Sequence, residues 1–359
     1  MPSNRKQLAS IKPKNMPKME KITHISKRLK IQFLKTDPSL AFCIKQVALL
    51  ISCIMPQPEN RLPHHHFLQL GRLMKKLLFQ FDTDASPSVF DTVVAYDGGA
   101  DHVIGHGNLT PDNVRALVDG AIFTRAPKDK KNTAIFIGGS DMEAGQLLLI
   151  AVQKHFFPGF QVSVMLDSNG SNTTAAAAVA KLAGSGNLAG KKAVVIAGTG
   201  PVGQRAAAML ALEGASVSIT SRHIFNAEKA CFAMKERFSV ELQPIEAADY
   251  ASRAAAIKDA NIVLTTGAAG VELLKPEHWR DNPHLEMLAD ANATPPVGIG
   301  GTDVMDKGRD RHGKIVWGAI GFGTLKLALQ RACIAKLFED NKQVYDAEII
   351  FELAKKMSK

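Results

Sequence analysis

A glycine-rich turn carries the strongest chemical signal in this sequence. The turn stands between the β-branched stretch AVVIA and the alanine-rich stretch QRAAAMLAL, and it reads Gly198-Thr199-Gly200-Pro201-Val202-Gly203. With a strand before it and a helix after it, this spacing is typical of a dinucleotide site. The first glycine permits a tight turn, the second admits the pyrophosphate, and the third lets the helix pack on the strand. The alternative is a turn that only links a strand to a helix.

The end of the next predicted strand indicates which dinucleotide is bound. About 20 residues after the turn, an acidic side chain usually holds the adenosine ribose. The stretch VSITSRH (217–223) has no acidic residue. Ser221 and Arg222 can instead hydrogen-bond a 2′-phosphate, which a carboxylate would repel. We therefore expect NADP rather than NAD; the alternative is that Arg222 is an exposed surface charge.

Three more glycine-rich loops follow predicted strands, and we expect them at the same carboxyl edge of the sheet. They are TTGAAG (265–270), DANATPPVGIGGTD (290–303) and GAIGFGTLK (318–326). Their glycines permit close approach of a flat ring, so Thr266 and Gly267 are predicted to contact the cofactor, and Asn292 can hydrogen-bond a carboxamide. Lys326 is expected at the head of a helix, where a lysine is electrostatically unfavourable. This placement suggests a function, although a surface lysine is the alternative.

Two polar loops of the first half of the chain are predicted to line a cleft opposite the cofactor. They are FDTDASPSVFD (81–91) and MLDSNGSNTT (165–174), and both are dense in small polar groups. Asp91 lies in a mostly apolar helix and is alternatively a solvated side chain. Asp167 and Asn172 are alternatively helix-capping groups. The residues predicted to contact substrate are Asp82, Asp84, Asp167, Asn169, Ser171, Asn172 and Thr173.

Strands and helices alternate from Met74 onward, which predicts an α/β architecture with largely parallel sheets. A first α/β domain is expected to comprise residues 74–172 and 324–359. A second domain, of the Rossmann type, is expected over residues 173–323. Within the first domain, TPDNVRALVDGAIF predicts a helix with Thr110 as N-cap and Pro111 at its first position.

Charge and composition restrict the class of partner. The 359 residues are 46% hydrophobic and carry a net charge of +10. All of that charge lies in residues 1–73, with 13 basic and 3 acidic residues, whereas the remainder carries 31 of each. This balance argues against nucleic acid as a partner of the folded part, and the interrupted apolar run at 41–55 is too short to span a membrane. Residues 1–73 are expected to be a disordered extension from an upstream start.

Cysteine and histidine usage gives no sign of a metal site or a disulfide framework. The four cysteines, Cys43, Cys53, Cys231 and Cys333, are too far apart in sequence for either. The triplet His64-His65-His66 has no further ligands nearby and is interpreted as incidental. We expect no metal and a cytoplasmic location.

Several of these motifs together resemble one enzyme family. They are LLFQFDTDASPSVFD, YDGGADHVIGHGNLTPDNV, MLDSNGSNTTAAA, AGTGPVGQRAA, NATPPVGIGGTD and RACIAKLFED. As a set they resemble the NADP-dependent methylene-tetrahydromethanopterin dehydrogenases of methylotrophic bacteria, from Met74 to the end of the chain. That family is similar in fold to the folate dehydrogenase/cyclohydrolases, which have a pterin-binding α/β domain and a Rossmann domain.

The resemblance implies oxidation of methylene-tetrahydromethanopterin, and commonly of methylene-tetrahydrofolate, with NADP as hydride acceptor. It also implies that Lys326 and Asp91 belong to the active site, that Arg222 binds the NADP phosphate, and that the enzyme is a homotrimer or homohexamer. The residue after Arg222 departs from the family pattern, because it is His223. Two alternatives stay open: a folate-specific methylene dehydrogenase, and a non-catalytic Rossmann module that senses NADP(H).

Overall fold

The computed structural model describes residues 74–359, which form two β-sheets with helices on their faces. The predicted extension over residues 1–73, with Cys43, Cys53 and the histidine triplet at 64–66, lies outside the described residues. Alternating strands and helices confirm the α/β class. Within the described residues, no helix is long and apolar enough to cross a membrane.

The first sheet has five parallel strands in the order β12-β4-β3-β1-β2. Its strands are β1 (Leu77–Asp82), β2 (His102–His106), β3 (Thr133–Gly138), β4 (Ser163–Leu166) and β12 (Val344–Tyr345). Its helices are α1 (Val89–Asp97), α2 (Arg115–Phe123), α3 (Met142–Lys154), α9 (Ala319–Leu337) and α10 (Ala347–Ser358). The order reverses between β1 and β3, so ligands are expected at the carboxyl ends of these two strands.

The second sheet has seven strands in the order β10-β11-β9-β8-β5-β6-β7. Its strands are β5 (Lys192–Ile196), β6 (Ser216–Ser221), β7 (Leu242–Glu246), β8 (Ile262–Thr265), β9 (Met287–Asp290), β10 (Lys307–Arg311) and β11 (Lys314–Trp317). Its helices are α5 (Pro201–Leu212), α6 (Ile224–Phe238), α7 (Tyr250–Ala256) and α8 (Pro276–Trp279). The first five parallel strands have the 3-2-1-4-5 order of a Rossmann fold, and only β10 runs antiparallel.

Helix α4 (Ser171–Ser185) packs between the two sheets. It follows β4 of the first sheet, leads into β5 of the second, and contacts α5, α9 and α10. Its alanines from 175 to 178 and at 180 are fully buried, because side chains of this size let helices approach closely on every side. The core therefore continues from one sheet to the other through α4.

Two predicted helix starts are wrong. Helix α2 begins at Arg115, because the Asn113 side chain accepts from the Thr110 N–H and donates to the Asn108 carbonyl, closing a turn ahead of the helix. Helix α9 begins at Ala319, so Lys326 lies in its third turn rather than at its head. The glycines before Lys326 belong to the helix, where the Asp306 carbonyl approaches Gly321 too closely for any side chain.

The sequence patterns missed two strands of the second sheet, β7 and β10, and both lie at its edges. Strand β7 lies at one edge of the second sheet and contains Pro244, which an edge tolerates but which hides the strand in the sequence. Strand β10 lies at the other edge and reads KGRDR, with no apolar residue. It pairs with β11 through a tight turn whose two central residues, His312 and Gly313, have positive φ.

Candidate active site

The glycine turn has the geometry that the three glycines predict. A side chain at Gly198 would meet Val195 and Ile219, and one at Gly203 would meet the Thr266 hydroxyl at 2.5 Å and the Gly198 Cα at 2.6 Å. A side chain at Gly200 would meet nothing within 4 Å. Two glycines are therefore required by packing, whereas Gly200 leaves open space at the N-terminus of α5, where unpaired N–H groups attract phosphate.

The remaining residues of the turn orient the start of α5. Pro201 is the first residue of the helix, where its missing N–H costs nothing. The Thr199 carbonyl accepts from the Gln204 side chain at 2.6 Å. Thr199, Gly200, Pro201 and Val202 are all partly exposed, so the backbone of the turn is accessible to a ligand.

The predicted phosphate-binding residues lie where β6 ends, beside the turn. Strand β6 pairs with β5 in parallel and ends at Ser221, so Arg222 follows directly and is exposed. Within residues 74–359, no carboxylate lies within ion-pair distance of Arg222. The neighbouring Glu246, which the sequence interpretation did not consider, accepts from the Ile224 N–H at 2.9 Å at the start of α6.

The loops after β8 and β9 are held by one buried carboxylate. Asp290, which is 2% exposed, accepts from the Thr265 hydroxyl at 2.7 Å, the Asn292 N–H at 3.0 Å and the Ile299 N–H at 3.0 Å. Burial raises the pKa of Asp290, and these hydrogen bonds oppose the rise. Asp290 was missed because an acidic residue at a strand end does not reveal its burial in the sequence.

The Thr266 and Asn292 side chains form hydrogen bonds with the backbone in or next to these loops. The Thr266 hydroxyl donates to the Ala197 carbonyl at 3.2 Å, next to the glycine turn, and Gly267 follows it at a partly exposed position. The Asn292 amide donates to the Pro296 carbonyl at 3.0 Å and accepts from the Thr294 N–H at 2.9 Å. Asn292 therefore organises its own loop in this structure, and its contact with a carboxamide stays a prediction.

At the carboxyl edge of the first sheet, two aspartates join the loops after β1 and β3. The Asp82 carboxylate accepts from the Asp84 N–H at 2.9 Å and the Ser88 N–H at 3.2 Å. Asp84 in turn accepts from the Ser140 N–H at 3.0 Å and the Ser140 hydroxyl at 2.9 Å. Burial raises the pKa of Asp82, which is 1% exposed. Both aspartates thus shape the loops at the point where the strand order reverses.

Lys326 and Asp91 are brought together by a residue that the sequence interpretation missed. The Lys326 Nζ donates to the Gln330 Oε1 at 2.7 Å, and the Gln330 Nε2 donates to the Asp91 Oδ1 at 2.8 Å. Gln330 is fully buried and Asp91 is 8% exposed, so Asp91 is not a solvated side chain. Gln330 is one helical turn after Lys326, a spacing that gains meaning only once α1 is known to pack against α9.

The electrostatics of this group are those of a desolvated lysine between two carboxylates. Burial lowers the pKa of Lys326, while Asp167 and Asp91 oppose that shift. Burial raises the pKa of Asp91, and it raises the pKa of Asp167 to about 6. The Lys326 Nζ also lies 4.2 Å from the centre of the half-exposed Phe90 ring. The group has an apolar wall, a cation and two carboxylates with shifted pKa values, which is typical of a functional site.

Asp167 has the helix-capping role, and its contact with substrate stays a prediction. Its carboxylate accepts from the Thr173 N–H at 3.0 Å and the Thr173 hydroxyl at 2.6 Å, and so caps the first turn of α4. It also acts electrostatically on Lys326. Asn169 is exposed with φ 56°, and the Ser171 hydroxyl donates to the Ser168 carbonyl at 2.7 Å.

Asn172 points away from this group. Its amide donates to the Leu166 carbonyl at 2.7 Å and to the Asp346 carboxylate at 3.4 Å, and it is 1% exposed. These bonds support the strand end before Asp167, and contact of Asn172 with substrate stays a prediction. The two halves of the site adjoin, because α5 contacts the short 3₁₀ helix Ser168–Gly170, and Gly170 lies beside the Lys326 side chain. Over residues 74–359, no group of three potential ligand side chains is placed to hold a metal ion.

The sequence of this chain is similar to those of known proteins. Residues 89–169 match the family model described as methylene-tetrahydromethanopterin dehydrogenase, N-terminal. The chain is 58% identical over 288 residues to the bifunctional protein MdtA of Methylorubrum extorquens strain AM1, covering 80% of this chain and 100% of that protein. It is 35% identical over 261 residues to the NAD(P)-dependent methylenetetrahydromethanopterin dehydrogenase of the same organism, covering 70% of this chain and 88% of that protein.

Solved structures with lower identity are also similar. A shikimate 5-dehydrogenase from Listeria monocytogenes has 15% identity and a TM-score of 0.44, covering 78% of this chain and 96% of that one. The methylenetetrahydrofolate dehydrogenase-cyclohydrolase of Trypanosoma brucei has 14% identity and a TM-score of 0.42, covering 74% and 86%. The family assignment depends instead on the two closer relatives: the chain belongs to the methylene-tetrahydromethanopterin dehydrogenase family.

Proposed function

We propose that this protein oxidises the methylene bridge of N5,N10-methylene-tetrahydromethanopterin, and of methylene-tetrahydrofolate, with NADP⁺ as the acceptor. The observation that carries the proposal is the contact between helix α5, which begins at the glycine turn, and the 168–170 segment beside Lys326. This contact puts the helix that follows the glycine turn against the loop beside Lys326, a desolvated lysine near two carboxylates. The 58% identity to a bifunctional protein of this family supports the same reaction.

In this proposal, each sheet with its helices binds one of the two ligands. Residues 74–172 with 324–359 form the part that holds the C1 carrier, and residues 173–323 form the part that holds NADP⁺. The residues fit that cofactor, because Gly200 leaves room for a pyrophosphate and Arg222 is exposed at the end of β6. When bound, NADP⁺ accepts a hydride from the methylene carbon, which leaves a methenyl cation and NADPH.

The residues around Lys326 position the substrate rather than remove a proton. Two ring nitrogens stabilise the cation, so the reaction needs no general base, and catalysis comes mainly from holding the reacting carbons in contact. Lys326 orients the pterin and discourages attack by water. The hydrogen bond to Gln330 holds the Lys326 Nζ in position. Asp91 binds pterin N–H groups or favours the developing positive charge, and the fully buried Asp167 acts through its charge.

Cofactor choice tests the nucleotide half of the proposal. Replacing Arg222→Gln removes a charge-assisted hydrogen bond, so we expect NADP⁺ to bind about tenfold to a hundredfold more weakly while NAD⁺ affinity is unchanged. Nucleotide affinities measured by fluorescence titration of the full chain check this. Arg309→Gln, an exposed arginine on the edge strand β10, is the matched control. Equal losses for both nucleotides would reject the 2′-phosphate site.

The alternative enzyme is a methylene dehydrogenase that is specific for the folate carrier. If it also had cyclohydrolase activity, it would need a lysine in the first sheet that activates water. Lys75 and Lys76 precede β1 and lie at the opposite end of that strand from Asp82, and Lys75 lies 3.9 Å from Asp101. Neither lysine is therefore a candidate for that role. Turnover with methylene-tetrahydrofolate but not with methylene-tetrahydromethanopterin would favour the alternative, and no turnover with either would favour a sensor. A homotrimeric or homohexameric assembly and a cytoplasmic location stay predictions.

A further inference from the structure

A buried arginine on the helix of the glycine turn lies where the two sheets meet. Arg205 is two residues after Gly203 and is 2% exposed. Its Nη2 donates to the Gln146 Oε1 on α3 at 3.0 Å, and its guanidinium lies 5.0 Å from the centre of the Phe238 ring. Within residues 74–359, its buried Nε has no hydrogen-bond partner. Burying a guanidinium with an unpaired N–H lowers the free energy of unfolding. Packing alone therefore does not explain why this position is an arginine.

The partner of Arg205 leads into the first sheet. The Gln146 Nε2 donates to the Asp346 Oδ2 at 3.2 Å, and Asp346 is the N-cap of α10. The same oxygen accepts from the Arg237 Nη2 at 2.6 Å. Because Arg237 lies on α6, two helices of the second sheet place arginines against one acidic position of the first sheet. This position therefore joins the sheets by charge as well as by packing.

From Asp346 the hydrogen bonds continue to the proposed substrate site. Its Oδ1 accepts from the Asn172 Nδ2, which also donates to the Leu166 carbonyl. Leu166 precedes Asp167, and Thr173, the neighbour of Asn172, holds the Asp167 carboxylate. A continuous chain of side chains, Arg205, Gln146, Asp346 and Asn172, thus connects the nucleotide helix with the strand end that carries Asp167.

We propose that Arg205 is a positioning residue for hydride transfer, because it fixes helix α5 against α3 and the start of α10. The inference rests on the proposed function. It assigns Arg205 no contact with cofactor or substrate; the residue acts by setting the distance between the glycine turn and the Asp167–Lys326 edge. A displacement of about 1 Å between reacting groups can lower a rate by about a hundredfold, so such a residue affects catalysis without touching a ligand.

The first test separates the rate of transfer from binding. Arg205→Met and Arg205→Lys are compared with wild type as full chains, using NADP⁺ and methylene-tetrahydrofolate carrying either hydrogen or deuterium on the methylene carbon. For Arg205→Met we expect turnover at saturation to fall by about tenfold to a hundredfold, KM for both ligands to change by less than about threefold, and the intrinsic isotope effect to change. Arg205→Lys should recover part of the loss.

The second test needs no ligand. Because Arg205 supports residues 166–173 through Gln146 and Asp346, backbone amides in that segment should exchange with solvent at least about threefold faster in Arg205→Met than in wild type. Arg253→Met is the matched control, since Arg253 donates to the Leu273 and Ala248 carbonyls within the second sheet. The control should lower the melting temperature without changing exchange at 166–173 or the isotope effect.

Outcomes of these tests support the inference or overturn it. An isotope effect and a 166–173 exchange rate equal to wild type in Arg205→Met, or the same changes in Arg253→Met, would overturn it. If Arg205→Met does not fold, Gln146→Met breaks the same link and should give the same changes at smaller size; wild-type behaviour would again overturn the inference. A wild-type protein that turns over neither carrier would overturn the proposed function instead, and the exchange experiment would still decide the role of Arg205.

Discussion

Lys326 is a lysine held between two carboxylates by a glutamine, and its chemistry follows from that position. Its side chain is partly buried, and its Nζ contacts both Gln330 and the Phe90 ring. Burial lowers its pKa, and the charges of Asp167 and Asp91 oppose that shift. The result is an oriented, poorly hydrated amino group beside the 168–170 segment that α5 contacts. Such a group can fix the substrate and exclude water more effectively than a solvated lysine.

Removing the Lys326 charge tests this role. We expect Lys326→Met to lower kcat/KM by about a hundredfold, because the substrate loses an oriented cation in a desolvated site. Initial rates with NADP⁺ and either methylene carrier check the loss. Lys336→Met on the same helix removes a partly exposed lysine, whose Nζ lies 3.4 Å from the Glu339 carboxylate, and should leave the rate unchanged. Equal rates for Lys326→Met and wild type would remove Lys326 from the mechanism.

The pKa of Asp167 predicts how stability depends on pH. Burial raises it from its ordinary value of 3.8 to about 6, so the folded state holds a proton that the unfolded state releases. The stability from this proton is fully present below about pH 4 and is lost as pH rises through about 6. Relative to Asp167→Asn, the wild type should therefore lose about 2 kcal/mol of unfolding free energy between pH 4 and pH 7.

Urea unfolding of both proteins at several pH values measures this difference. Asp82→Asn is a useful second variant, because burial also raises the pKa of Asp82 and the direction of its effect should be the same. A wild-type stability that rises relative to Asp167→Asn across this interval would mean that the Asp167 pKa is lowered rather than raised.

At the scale of elements, the glycine turn shows how much a motif in context reveals. Its strand, turn and helix follow from the sequence, because each glycine has a distinct steric reason and the flanking stretches have clear propensities. The position at which α9 begins could not be predicted in the same way. Gly318 and Gly321 let the 303–306 backbone approach, which is a long-range contact with no local pattern. Gln330 stayed hidden for the same reason, since its role depends on the packing of α1 against α9.

Two glycine substitutions separate ligand binding from packing. Gly200→Ala adds a methyl group into open space, so we expect normal stability but at least about tenfold weaker NADP⁺ binding, because the methyl group occupies the approach to the pyrophosphate. Gly203→Ala places the same group against Thr266 and Gly198 and should cost about 1 to 3 kcal/mol of stability. Melting temperatures and nucleotide titrations distinguish the two, and the reverse pattern would contradict the assignment of the turn.

For the whole molecule, the sequence predicts the class of fold and the strand, turn and helix of the glycine motif, but not how the two sheets are joined. Arg205, Gln146, Asp346 and Arg237 come from four separate segments, and none has a local signature. Their meeting depends on the packing of α4 between the sheets and on β12 pairing with β4. Contacts of this kind follow from tertiary structure rather than from motif spacing. The arrangement of the two sheets relative to each other is therefore the property that the sequence conveys least.

The most direct measurement of the central claim is spectroscopic detection of methenyl product by the full chain, with each methylene carrier offered against NADP⁺ and NAD⁺. We expect methenyl formation with NADP⁺ that depends on Lys326, and a preference for NADP⁺ over NAD⁺ that Arg222→Gln abolishes. Rapid turnover with NAD⁺ alone, or no methenyl product from either carrier, would contradict it.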